Sequence, residues 1–148
     1  MRVVLKHVKT PEEEQVVLEC MEKTKDFCEI EQYALSVGDK VTVSGKDKAL
    51  LNIRKEDILY MESVGELVFA YTKRDVYEMK MRLYEIEEEF QDHHFIRCSK
   101  SMIINLNQVD SVRPAINGRF LAKMANEEEV MISRQYAKSV KKAILEEL

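Results

Sequence analysis

Two groups of polar residues in the last third of the chain are spaced to hold an anion. Arg97, Lys100 and Ser101 lie within residues 95–107, a stretch that starts apolar, turns cationic and hydroxyl-rich, and returns to the apolar run Met102-Ile103-Ile104. Arg and Lys are almost never fully buried without a partner. The stretch therefore reads as two short buried segments flanking a polar corner, with Arg97, Lys100 and Ser101 held out to an anionic partner. An ordinary solvated loop between two strands is the alternative. The second group lies in Ser133 to Leu148, which reads as a helix with Ser133 as its N-cap. Arg134, Lys138 and Lys142 recur there at i, i+4 and i+8, starting where backbone N–H groups already favour phosphate. A solvated face complementing the helix dipole accounts for Lys141 and Lys142, but not for Arg134 at the opposite end.

Other chemistry is not indicated. His93-His94 lies near Cys98, but no CxxC or HExxH spacing accompanies it, so no metal is expected. There is no GxGxxG, GxxxxGK[ST] or GxSxG, and no carboxylate is singled out for acid–base work. The expectation is a protein that is not an enzyme and holds no cofactor.

Composition sets the frame. The chain has 148 residues, 45% apolar and 34% charged, enough for one cored domain with a small appendage. No apolar run approaches the roughly 20 residues of a membrane helix. The opening Met1-Arg2-Val3-Val4-Leu5-Lys6 is broken by charge too soon for a signal peptide. Cys20, Cys28 and Cys98 form an odd, scattered set that suits a reducing compartment, so a cytoplasmic protein is expected. Net charge is -4, but residues 1–96 carry -7 and residues 97–148 carry +3. Such asymmetry fits a local anion-binding face on an acidic protein.

The elements that must position these groups follow in order. Arg2 to Val8 reads as a strand. A helix is expected next, with Thr10 as N-cap, Pro11 at its first position and Glu13 completing a capping box. Val16, Val17, Cys20, Met21, Thr24 and Phe27 would form its packing face. Gly38 ends this unit, giving an appendage over 1–38 and a main domain over 39–148. A hairpin around Ser44-Gly45-Lys46-Asp47 follows, then strands over Ile58–Glu62, Leu67–Thr72 and Val76–Lys80. Leu83, Tyr84, Ile86 and Phe90 mark a short helix whose other face, Glu85 and Glu87–Glu89, is expected to be solvated. Strands over Gln108–Arg113, Arg119–Met124 and Val130–Ile132 come next, the first two joined by Asn117-Gly118. Strands this closely spaced imply consecutive antiparallel hairpins, so the fold class is mainly β with short helices.

Phe95-Ile96-Arg97-Cys98-Ser99-Lys100-Ser101-Met102-Ile103-Ile104-Asn105 resembles the signature of the LytTR DNA-binding domain: an F-x-R segment, a basic residue and Ser, a hydrophobic pair and Asn. Asp57-Ile58-Leu59-Tyr60-Met61-Glu62 is similar to the family's D-I-x-Y-x-E strand, and Val130 to Tyr136 to its V-S-R-x-Y junction. The resemblance covers residues 40–148. It implies small antiparallel sheets whose loops, rather than a recognition helix, enter successive major grooves and bend the duplex. Carried over, it makes Lys100, Ser101 and Arg134 contact residues. Chemistry would give Arg134 a bidentate fork for guanine and Lys100 a point charge, with Arg97, Ser101, Ser133 and Gln135 positioning the DNA backbone. Lys138 continues the stripe one turn on. Residues 63–66 correspond to a contact loop, but Glu66 would repel phosphate, and Ser99 stands where many members have His.

Family response regulators place a receiver of about a hundred residues before this domain, whereas some 40 precede it here. The chain thus looks like a stand-alone LytTR regulator. Expected partners are double-stranded DNA, a second copy in a homodimer, and a membrane protein. The rival reading is a protein-interaction or anti-activator module on the same scaffold, which the acidic balance suits.

Overall fold

A computed structural model of the chain describes residues 1–36, 39–90 and 94–146. The expected break at Gly38, and His93 of the histidine pair, lie outside these residues. Among the described residues ten strands and three α-helices follow one another: α1 (Lys25–Ser36), β1 (Lys40–Ser44), β2 (Leu50–Arg54), β3 (Tyr60–Val64), β4 (Leu67–Tyr71) and β5 (Val76–Met79) come first. Then come α2 (Leu83–Glu89), β6 (Phe95–Ser99), β7 (Met102–Asn105), β8 (Val109–Pro114), β9 (Phe120–Met124), β10 (Glu129–Ile132) and α3 (Arg134–Glu146). Seven strands form one antiparallel sheet in the order β2-β1-β5-β4-β3-β7-β6, and three form a second in the order β10-β9-β8.

The architecture rests on β3 and β7, which pair with Tyr60 opposite Ile104 and Met61 opposite Ile103. Successive side chains of a strand point to opposite faces, and these four are apolar and buried on both. Met61 and Ile103 join a first core with Val41, Val43, Val68 and Ala70, closed by Leu83, Ile86 and Phe90 of the α2 segment. Tyr60 and Ile104 join a second core with Cys98, closed by Ala122, Met124, Val130 and Ile132 of the small sheet and by Ala137 and Val140 of α3. Fully burying one such large apolar side chain is worth about 1.5–3 kcal/mol. The central strands are therefore fixed from both sides, and the loops at their ends are held on a rigid frame.

The expected hairpins and the short acidic helix are present, and the V-S-R-x-Y junction opens α3. The first 24 residues differ. The expected strand over Arg2–Val8 carries no regular structure, and the expected helix from Thr10 is a single 3₁₀ turn over Pro11–Glu13. The Glu13 carboxylate accepts from the Lys9 amide instead of completing a capping box. A short isolated helix is marginal in water, and Val16, Val17 and Met21 find no cover on this chain, being 63% exposed or more. The helix forms later, where α1 has anchors. Thr24 accepts from Phe27 and Cys28 at its start. Gln32 meets His94 at 2.7 Å, and the Arg54 guanidinium lies 4.3 Å from the Tyr33 ring centre.

Candidate nucleic-acid interface

The polar corner is the turn between β6 and β7, and its shape is set from within. A bulge at Cys98 shifts the pairing between Arg97 and Ser99, which re-aims the following residues as bulges do. Cys98 drops into the second core, donating weakly to the Met102 carbonyl, and burial pushes its thiol up to about 12. Arg97 turns to the other face, where its Nε ion-pairs with Glu87 of α2 and its Nη1 donates to the Lys100 carbonyl at 2.6 Å. Ser99 Oγ accepts from the Ser101 amide at 3.2 Å, a local turn-forming bond. Lys100 and Ser101 are left exposed. Arg97, only 19% exposed in its side chain, holds the corner rather than standing out from it.

Three contacts tie this corner, and the start of α3 beside it, to neighbouring segments. The Ser63 amide donates to the Ser101 carbonyl at 2.8 Å, continuing the β3–β7 ladder to the turn between β3 and β4. That turn has Gly65 at φ +62, the left-handed backbone that two-residue hairpins require. The Ser133 amide donates to the Cys98 carbonyl at 2.9 Å, which sets the start of α3 beside the corner. Ser133 is half-buried, and its carbonyl accepts from Tyr136 and Ala137 to begin the helix. Arg134, Gln135 and Lys138 follow, all exposed. Lys142, next on the stripe, ion-pairs with Glu146 at 3.9 Å.

The third contact was invisible to spacing arguments. In the turn between β8 and β9, a Cβ on Gly118 would lie 3.3 Å from Cγ and 3.4 Å from Cδ of Arg134. Gly118 has φ +75, so a side chain there would be strained as well as crowded. The Arg134 stem thus lies along a bare stretch of backbone. The same turn carries the exposed cation Arg119, which sequence reading treated only as the start of a strand. Its signal was an Arg directly after the turn glycine, and nothing local pointed from there to α3.

One strip therefore runs from residues 63–66, through Lys100 and Ser101, to Ser133, Arg134, Gln135 and Lys138, with Arg119 beside it. The α2 helix buries Leu83 and Ile86 in the first core, and from its exposed acidic face Glu87 reaches Arg97 at the corner. Among the described residues, no group of three or more His, Cys, Asp or Glu is placed to hold a metal ion. No described helix is long and apolar enough to cross a membrane. The burial of Cys98 gives a direct check. At about pH 8 a thiol reagent is expected to label exposed Cys20 in the folded protein and to reach Cys98 only on unfolding, because the thiolate is the reactive form.

Comparison with known proteins assigns this arrangement. Residues 48–145 match the family model of the LytTr DNA-binding domain. The chain belongs to the LytTR family. The transcriptional regulatory protein YpdB of Escherichia coli (strain K12) is 31% identical over 94 residues, 63% of this chain and 38% of that protein. The chain thus spans well under half the length of that relative. An HTH-type transcriptional regulator of Staphylococcus aureus (strain NCTC 8325 / PS 47) is 31% identical over 98 residues, 66% of each chain. Among solved structures, the LytTr DNA-binding domain of a methyl-accepting/DNA response regulator from Bacillus cereus superimposes with a TM-score of 0.66. It is 27% identical, covering 72% of this chain and 96% of that one. The LytTR domain of this chain is the mainly antiparallel β fold described above.

Proposed function

We propose that this protein is a sequence-specific, DNA-binding regulator of transcription that reads the major groove through the loops of its β fold. The observation that carries the reading is the strip itself. Lys100 and Ser101 lie far from Arg134 in sequence, yet the Ser133–Cys98 hydrogen bond brings their segments together on one exposed edge. Arg134 supplies the planar donor fork suited to guanine O6 and N7, and Lys100 a point charge to a base edge or phosphate. Ser101, Ser133, Gln135 and Lys138 position the sugar–phosphate backbone, aided by the free N–H groups at the start of α3. Arg97 serves by fixing the Lys100 carbonyl, a positioning role. The regulator works as a homodimer on repeated half-sites, in the compartment that holds the DNA.

A duplex titration at two salt concentrations tests this. If Lys100, Arg119 and Lys138 each neutralise a phosphate, the slope of log K against log salt is about -2.7, and a fourfold rise in salt weakens binding roughly 40-fold. No saturable binding to any upstream-region duplex at low salt would favour the protein-interaction module instead.

A further inference from the structure

The least-explained part of the molecule is its first 24 residues. Every residue from Met1 to Val17 is exposed, and only Leu18 is half-buried before Phe27. Eight large apolar side chains stand open in this stretch, Val3 at 89%, Leu5 at 82% and Met21 at 107% exposure among them. An exposed apolar surface of this kind marks an interaction site. The chain is extended at both ends of the Pro11–Glu13 turn, with Thr10 at φ -131, ψ 152 and Glu14 at φ -67, ψ 126. On either side lie runs of equal length, 2–9 and 15–22, rich in the β-branched valines that suit strands.

Charge says what they pair with. Residues 2–9 hold Arg2, Lys6 and Lys9 and no carboxylate, while residues 15–22 hold Glu19 and Glu22 and no Lys or Arg, with Glu12, Glu13 and Glu14 just before them. Either run repels its like and attracts the other. One antiparallel register sets Lys6 opposite Glu19, and Val4, Leu5 and Val8 opposite Met21, Cys20 and Val17. Opposite charges and apolar pairs facing across strands are the stabilising units of a sheet. Two copies related by a two-fold axis make this contact twice, as an isologous interface does. We infer that residues 2–9 and 15–22 are an exchange arm through which two copies of this chain pair, the basic run of each lying on the acidic run of the other. The inference rests on the homodimer reading above and names its surface. The apolar content of the basic run sets it apart from a DNA-tracking arm, whose partner would be phosphate.

Sedimentation of the full chain tests it with two charge-reversed variants, Lys6→Glu with Lys9→Glu, and Glu19→Lys with Glu22→Lys. The parent is expected to be a dimer. Each variant alone should dissociate with a dimer constant about tenfold or more weaker. An equimolar mixture should recover the parental dimer, because reversing one run in each copy makes both contacts complementary again. The same reversal at Lys46 and Lys48, exposed on the β1–β2 turn, should leave the dimer intact. A monomeric parent overturns the arm and the homodimer together. A dimeric parent whose variants sediment unchanged overturns the arm and leaves the homodimer standing. Monomeric variants that fail to recover on mixing assign the arm to its own chain or another partner, and overturn the pairing.

Discussion

Replacing Arg134 with alanine is expected to weaken binding to a cognate duplex by about 1–3 kcal/mol, roughly 5- to 150-fold, and to relax selectivity at one base pair. The side chain is exposed and its stem rests on Gly118, so the fork is held at the start of α3 without being committed to an internal ion pair that would have to break. For the same reason folding should be nearly untouched, and the thermal midpoint of Arg134→Ala should match the parent. Arg134→Lys separates charge from shape. It should keep the salt slope, because the phosphate contacts and the charge are unchanged, yet fail to recover base selectivity, because an ammonium cannot offer two parallel donors. Competition titrations against single-base variants of the site measure both quantities. Parental affinity and selectivity in Arg134→Ala would remove this residue from the interface.

Both halves of the proposed interface left a mark in the sequence. The corner announced itself, since two cations and two hydroxyls between Ile96 and Met102 contradict a continuous buried strand. Arg134 announced itself by standing at the end of a helix where a dipole-driven cation would not be placed. What local pattern cannot show is which distant residue meets which. Arg97 read as a solvent-facing cation until α2 supplied Glu87 from a helix face that read as merely solvated. Gly118 read as a hairpin turn until the small sheet folded it against Arg134. Both partners lie at least ten residues away in sequence, and their contacts are made by packing rather than by propensity.

The opening segment failed for a different reason. The apolar spacing of Val16, Val17, Cys20, Met21 and Phe27 fits a helical stripe, and Thr10-Pro11-Glu12-Glu13 fits a helix start. Periodicity describes a face, but a short helix persists only when that face is covered. Residues 25–36 are covered through His94 and Arg54, and they fold. Residues 14–21 keep all but Leu18 exposed, and they do not. The same apolar pattern thus supports a helix where a partner surface exists and an extended, partner-seeking arm where it does not.

The Asn of the family signature has the opposite fate from its neighbours Lys100 and Ser101, and a larger energetic role. Asn105 is fully buried, and its Nδ2 donates to the Glu56 carbonyl at 3.2 Å and the Ile58 carbonyl at 3.0 Å, while its Oδ1 accepts from the Asn107 amide at 3.0 Å. One side chain thereby ties the end of β7 to the segment entering β3, the two strands that share both cores. Leucine at this position keeps the branched outline, though it is bulkier, and can neither donate nor accept. Asn105→Leu should therefore withdraw three hydrogen bonds inside a dry site and lower the unfolding free energy by about 2–4 kcal/mol, since a buried polar group left without its partner bears its desolvation cost. Urea unfolding should show a lower midpoint with an unchanged slope. Because Asn105 faces the interior, DNA affinity measured well below the variant's own midpoint should stay near the parental value. A variant as stable as the parent would show these bonds to be dispensable. A large loss of affinity in a folded variant would move Asn105 from the frame of the interface into the interface itself.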